Sequence, residues 1–263
     1  MNAAYHLITV SRQVDMATDF TINDKVFVPA SRIPGMEGHP SAFYETRIAE
    51  VGIRKVKVHL QGGTTSEWIG TGLCQKNVGI LIFTFGDLET EIGLLDPLAK
   101  SVLQYCRLLV PDDYLRAYKI RSVAELEIIW HREQAAYSHV VIIGHGSREG
   151  IKFSVDKWVK SDILDATLKV RGAPKKVFIS LSCQTGYKTA GGKLSEMAIC
   201  SHFIAPFHSV HGAVASQFAQ TFLAFHLLEG ESVGVAFKHA RKYTPGSTSF
   251  RLWENGNLKA GQK

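Results

Sequence analysis

Two residues in this chain are of types that do chemistry together, and each stands at the end of a strand-like run. His145 lies in Gly144-His145-Gly146-Ser147, and Cys183 lies in Leu181-Ser182-Cys183-Gln184-Thr185-Gly186. The apolar run HVVII precedes the histidine and KKVFISLS precedes the cysteine, while small polar residues suited to loops follow both. A free cysteine usually packs inside a core and stays inert. At the mouth of a strand it is open to solvent, substrate and neighbours. A nearby imidazole lowers the thiol pKa and carries a proton to the leaving group, which is the chemistry of acyl transfer through a thioester.

The spacing supports such a meeting. His145 and Cys183 are 38 residues apart (183 − 145), the length of one crossover connection. If their strands are neighbours, both side chains leave the same edge of the sheet at about one strand spacing, roughly 5 Å. The glycines beside His145 let a substrate backbone come close. The backbone N–H groups of Gly146 and Cys183 can then face a developing oxyanion. The alternative is that Cys183 is a small core residue and His145 a turn histidine bonded to backbone.

The other cysteines have simpler contexts. Cys106 falls in helical step with Ala99, Val102, Leu103 and Leu109, and Cys200 closes the run Leu194, Met197, Ala198, so both read as core. Cys74 has no chemical neighbour in the sequence. No C-x-x-C pair suggests zinc or a redox motif, and disulfides are not expected in a cytoplasmic chain. His208 and His211 share one helical face only if a helix includes both, and no acidic third ligand is near; neither metal nor cofactor is expected. No G-x-G-x-x-G or phosphate loop follows the first strand of the second region, which disfavours nucleotide binding.

Two patterns of secondary structure must position these groups, and they meet near residue 77. Before it, YHLITV, DKVFVPA, FYETRIAEV, IRKVKVHL and EWIGTGL are short β-like runs separated by turn residues, a rhythm that suggests a small barrel over residues 1–76. After it, strands and helices alternate. GILIFTF is an apolar strand; Asp96-Pro97 offers a cap and first-turn proline for the next helix; Ser122-Val-Ala-Glu125 is a capping box. The turn GIKFSVDKW precedes a helix near residues 163–170. A helix over 193–199 leads to the strand HFIAPF, and a long helix over 212–229 carries Phe218, Phe222 and Phe225 as packing residues. Such alternation implies a mostly parallel sheet with helices on both faces, whose active groups sit in loops at the C-terminal strand ends.

The chain has 263 residues, 45% of them hydrophobic and 21% charged, enough for a substantial core. No apolar run is long enough to span a bilayer, and the N-terminus lacks the pattern of a secretory signal, so the expected location is the cytoplasm and no membrane contact is expected. Net charge is +6 with the excess spread out. Weak nucleic-acid contact or an acidic partner is compatible with it, but a solvated surface is the preferred explanation.

At the level of motifs, GHGS after an apolar strand followed by FISLSCQTG resembles the caspase-like cysteine peptidases, most closely the CHAT-domain branch. FIAPFHSVHGAVASQFAQTFLAFHLLEGESVGVAFKHAR and FRLWENGNLK continue the resemblance, which covers roughly residues 79–259. It implies a caspase-like sheet and a metal-free peptidase. His145 would be general base and acid, Cys183 the nucleophile, and the amides of Gly146 and Cys183 the oxyanion hole. It further implies a protein substrate, and a latent bacterial effector switched on by a protein partner, in stress or anti-phage defence. The usual alanine before the cysteine is Ser182 here, a small residue for a small one. Asp87, at the exit of the first strand of this region, and Ser182 are the candidate substrate-binding residues. Asp87 would select a basic side chain, or else cap a turn.

Residues 1–76 resemble small Tudor or chromo-like barrels in strand rhythm. Such barrels bind peptides or nucleic acid through rim aromatics, which makes Phe43, Tyr44 and Trp68, with Arg54, Lys55 and Lys57 nearby, the candidate partner-binding residues. The alternative is that these aromatics fill the barrel or pack on the second domain. A catalytically inactive adaptor on the same fold is the competing function.

Overall fold

β-branched residues in alternation, with turn residues between them, build strands in the first quarter of the chain. The computed structural model describes residues 20–36, 41–86 and 89–261. The expected strand YHLITV lies outside the described residues. β1 (Lys25–Pro29), β2 (Phe43–Gly52), β3 (Lys55–Val58) and β4 (Ile69–Gly70) form an antiparallel sheet in that order. The sheet curls, because Gln75 beyond β4 returns to Phe27 of β1 and exchanges two backbone hydrogen bonds of 2.9 Å with it. Val26, Val28, Ile48, Val56 and Val58 are wholly buried inside the curl.

This unit is not a loose appendage. Phe27 and Phe43 turn away from the curl and join Val78, Leu109 and Leu115 in the larger core of the chain. The Ala42 N–H donates to the Leu109 carbonyl at 2.9 Å. Ser31 and Arg32 donate to the carbonyls of Leu228 and Glu229 at 2.9 and 3.1 Å.

The second region runs β5 (Gly79–Phe85), α1 (Asp96–Leu109), β6 (Leu115–Ile120), α2 (Val123–Glu133) and β7 (Tyr137–Ile143). A hairpin of β8 (Gly150–Phe153) and β9 (Lys157–Lys160) follows, then α3 (Ser161–Leu168), β10 (Lys176–Ser180), the single turn α4 (Lys193–Ser195) and β11 (Cys200–Pro206). The chain closes with α5 (Gly212–Leu223), α6 (Val233–Tyr243), β12 (Phe250–Glu254) and β13 (Asn257–Ala260). Seven strands form one sheet in the order β13-β12-β11-β10-β7-β5-β6. The five from β11 to β6 are parallel, and β12 and β13 add an antiparallel edge.

Strand periodicity divides the core in two. Ile80, Ile82, Val141, Ile143, Ile179 and Ile204 face α1, α5 and α6, while Leu81, Phe83, Val140, Ile142, Phe178 and Phe203 face α2 and α3. Burial on both faces explains why these strands read as unbroken apolar runs.

Local expectations meet three corrections. Asp96 does not cap α1: Glu91–Leu95 already winds helically ahead of it, and its carboxylate pairs with Lys119 at 2.9 Å. GIKFSVDKW is not a plain turn but the β8–β9 hairpin, closed through Lys157 at a φ of 62°. The helix over 212–229 is α-helical only to Leu223 and then widens into a π turn over Ala224–Leu228. Half of the capping box forms as expected, with the Ser122 hydroxyl accepting from the Glu125 N–H at 3.2 Å, while the Glu125 carboxylate accepts from the Arg121 N–H, one residue earlier than a capping box would have it.

One buried group links this fold to pH. His139 on β7 is inside the protein, with Nδ1 against the Ser138 hydroxyl at 2.8 Å and the His226 ring at 5.2 Å. Burial, then the nearby His226 and Lys176, hold its pKa well below 6.5. The folded protein therefore keeps His139 neutral while the unfolded chain protonates it near 6.5. Its full contribution to stability is present above pH 6.5 and declines as pH falls below that value, by about 1.4 kcal/mol per unit until the folded group itself titrates. Thermal melts between pH 7.5 and 5 are expected to show a falling Tm, and His139→Leu is expected to flatten that fall. An unchanged slope in the variant would assign the acid sensitivity elsewhere.

Candidate active site

The C-terminal ends of β6, β5, β7 and β10 lie side by side along one edge of the sheet. Their exits carry Arg121, Gly86, His145 and Cys183 in turn. The parallel register of β10 on β7 pairs Ser180 with Ile142, and Leu181 continues it by donating to the Ile142 carbonyl at 2.8 Å. Both chains leave the ladder there, with His145 two residues past β7 and Cys183 three residues past β10. The two loops touch: a Cβ on Gly146 would lie 2.3 Å from the Cys183 carbonyl oxygen and 2.9 Å from the Ser182 Cβ. Only glycine permits that approach.

The backbone amides of Gly146 and Cys183 can be followed in the same loops. Gly146 forms an isolated antiparallel bridge with Ile151, through bonds from Lys152 N–H to the His145 carbonyl and from Ser147 N–H to the Gly150 carbonyl. In that pairing Gly146 is the residue not hydrogen-bonded to its opposite, so its own N–H turns away from Ile151. Neither this N–H nor that of Cys183 is engaged by another described residue.

The cysteine loop is held from below. Gln184 turns the chain directly after Cys183 at a φ of 61°, in the left-handed region that a non-glycine residue enters at a cost. Thr185 secures the turn, with its hydroxyl 2.8 Å from that of Ser180 and donating to the Ser182 carbonyl at 2.7 Å. The Gly186 N–H donates to the Pro206 carbonyl at 2.8 Å, and the Trp253 indole donates to the Gly186 carbonyl at 3.0 Å. Cys183 itself is half-buried, with its thiol 3.9 Å from the Val210 carbonyl. The other three cysteines are buried. Burial pushes the Cys74 thiol up to about 11, the Cys106 thiol up to about 12, and the Cys200 thiol higher still. Cys183 is thus the one thiol that a reagent can reach in the folded protein.

His145 is engaged by a residue that no motif or spacing singles out. Its Nε2 lies 2.6 Å from the Thr90 hydroxyl, which arrives from the segment beyond β5. The next residue, Glu91, is buried to 7% exposure and bound by Arg121 at 2.5 and 3.1 Å and by Lys119 at 2.9 Å. The hydrogen bonds from Arg121 and then Lys119 hold its carboxyl down at about 2. A groove of about 330 Å3 opens beside this segment, between Leu94, Pro97 and Leu98 on one wall and His211 and Ala213 on the other. Among the described residues that line it there is no Asp, Glu, Lys or Arg.

The remaining candidates separate. Asp87 lies outside the described residues; the exit it belongs to is flanked by Gly86, where an added Cβ would meet the Arg121 guanidinium at 2.1 Å. Ser182 was expected to help bind substrate, but it is 0% exposed, packed beneath Gly146 with its hydroxyl unpartnered. Its position makes it support for the loop. Phe43 and Tyr44 were expected at a partner-binding rim. They are 4% and 9% exposed, Phe43 in the main core and Tyr44 in the curl, because β2 packs one face inward and the other onto the second region. Trp68 alone of the three reaches the surface, at 39% exposure, with the Lys55 and Lys57 ammonium groups 4.5 and 4.9 Å from its ring. His211 accepts from the Ala213 N–H at 3.2 Å as the cap of α5. Among the described residues no three potential metal ligands cluster, and no helix is long and apolar enough to cross a membrane.

Comparison with protein-family models gave no match, and neither did comparison with curated proteins.

Proposed function

We propose that the chain is a caspase-like cysteine peptidase, nearest in its motifs to the CHAT-domain branch, that hydrolyses peptide bonds with Cys183 and His145. The observation that supports this reading is the pairing of β7 with β10, whose exit loops meet at Gly146 and Cys183, so that the one thiol that is not buried lies in a loop touching the loop of His145. The thiol gives its proton to His145 and its sulfur bonds to the scissile carbonyl carbon. The carbonyl oxygen, now negative, faces the amides of Gly146 and Cys183. Collapse of this intermediate breaks the C–N bond as His145 returns the proton to the departing amine. Water then attacks the thioester with His145 as base, releasing the acid and restoring the thiol. The groove beside Leu94, walled by Leu94, Pro97, Leu98 and Ala213, suits an apolar side chain of the substrate.

In this reading the substrate is a protein, the setting the cytoplasm, and a protein partner switches the chain on, in keeping with a bacterial defence or stress effector. A second reading, a catalytically silent adaptor, is favoured by one feature: the imidazole bonds to Thr90 and the thiol faces the Val210 carbonyl, with no direct bond between the two.

A library of peptidyl acyloxymethyl ketones, followed by mass mapping of the adducts, tests the choice. A peptidase is expected to take one adduct on Cys183, with strong dependence on peptide sequence, and none on Cys74, Cys106 or Cys200. Labelling of Cys183 at the rate of a free thiol, indifferent to the peptide, would sink the peptidase reading and leave the adaptor.

A further inference from the structure

The contact between Thr90 Oγ1 and His145 Nε2 joins residues far apart in the chain at a short hydrogen-bond distance. We propose that Thr90 is a positioning residue for His145, accepting the Nε2 proton so that Nδ1 is the nitrogen that serves Cys183; this rests on the peptidase reading. An imidazole carries one proton when neutral, and the bond made by one nitrogen decides what the other can do. With Nε2–H donating to the threonine, Nδ1 keeps its lone pair and takes the thiol proton. In the resulting imidazolium the Nε2–H bond to Thr90 persists, so the same contact serves both protonation states. A hydroxyl supplies orientation without the negative charge that a carboxylate would add.

Thr90 is placed by a chain of anchors across the sheet edge. Its carbonyl accepts from the N–H groups of Leu94 and Leu95 at 3.0 and 3.3 Å. Glu91, next in sequence, is clamped to Arg121 and Lys119 at the end of β6. The Arg121 N–H donates in turn to the Glu125 carboxylate at 2.7 Å, at the start of α2. Four neighbouring strand exits therefore contribute in sheet order: β6 holds Glu91, the β5 exit segment presents Thr90, β7 carries His145 and β10 carries Cys183.

Two measurements test this on the full chain. The first is the 15N NMR spectrum of 15N-histidine-labelled protein at pH 7.5, with His145 assigned by His145→Ala. The wild type is expected to hold the Nε2–H tautomer, Thr90→Ser to keep it, and Thr90→Val to lose the preference. An Nδ1–H tautomer in the wild type overturns the proposal without recourse to any variant. The second is the pH profile of Cys183 alkylation by iodoacetamide. Thr90→Val is expected to slow alkylation at neutral pH by about fivefold to tenfold and to move its midpoint upward, with Thr90→Ser restoring both. Faster alkylation in Thr90→Val would mean that Thr90 holds the imidazole away from the thiol, and the positioning role would be wrong. If His145→Ala moves the profile and Thr90→Val does not, Thr90's role alone falls. If His145→Ala leaves the profile in place, the peptidase reading falls and takes Thr90's role with it.

Discussion

Cys183→Ala is expected to abolish peptide hydrolysis, and His145→Ala to reduce it nearly as far, by a factor of about 10^4 or more. In the proposed mechanism the thiolate is the attacking group, and none of the three buried cysteines is placed to replace it. Cys74, Cys106 and Cys200 are buried, with thiols pushed up to about 11, about 12 and beyond, so they are neither reachable nor ionised at neutral pH. In that mechanism the imidazole accepts the thiol proton and returns it to the amine, so losing either member would stop the same step. The double variant should be no worse than the more damaging single one, because members of one catalytic unit do not add. Cys106→Ala and Cys200→Ala should lower the melting temperature and leave turnover per folded molecule intact. The assay is turnover of a peptide that the wild type cleaves, with the activating partner present if one is required. Wild-type turnover by Cys183→Ala under those conditions would remove the dyad and the peptidase mechanism together.

Gly146→Ala is the second change expected to have a large effect, and its cause is steric. The added methyl would sit 2.3 Å from the Cys183 carbonyl oxygen, 2.7 Å from the Thr185 Cγ2 and 2.9 Å from the Ser182 Cβ. None of these can swing aside as a long flexible side chain could. The carbonyl is backbone, and Ser182 and Thr185 are wholly buried and tied into the turn. The histidine and cysteine loops must therefore separate. A displacement of about 1 Å in a reacting pair costs on the order of 10^2-fold in rate, and crowding of this kind costs about 1–3 kcal/mol of stability. Turnover and urea denaturation of the same preparation should show both. Gly72→Ala, at a site with nothing within 4 Å, is the control and should change neither. Normal turnover in Gly146→Ala would mean that the two loops need not lie this close for the chemistry.

Local pattern carried a good deal of the architecture. The unbroken apolar runs of β5, β7 and β10 read as strands buried on both faces, and they are. Ser122 and Glu125 declared the start of α2 because a capping box needs only residues three apart. Cys183 stood out because a thiol at the end of an apolar run, ahead of QTG, is outside the helical step that marks Cys106 as core. These features depend on neighbours within one or two turns of chain, which a sequence displays directly.

What tertiary structure decided depends on contacts between distant segments. Strand order is one case: β10 could have paired elsewhere, and only its place beside β7 brings the loop of Cys183 against the loop of His145. Thr90 is another, since a threonine on an irregular segment has no periodic signature and meets His145 only because β5 lies beside β7. The aromatics of β2 are the third. Alternation told that successive residues face opposite ways, but not that the start of β2 would be covered on both sides, Tyr44 by the curl and Phe43 by the second region. Burial of Phe43 and Tyr44 followed from that packing, as burial of Ser182 followed from the approach of Gly146. By itself the sequence determined which residues could do chemistry and which strands would carry them; the tertiary structure determined which of them meet, because a parallel sheet joins its strands through pairings that no local pattern encodes.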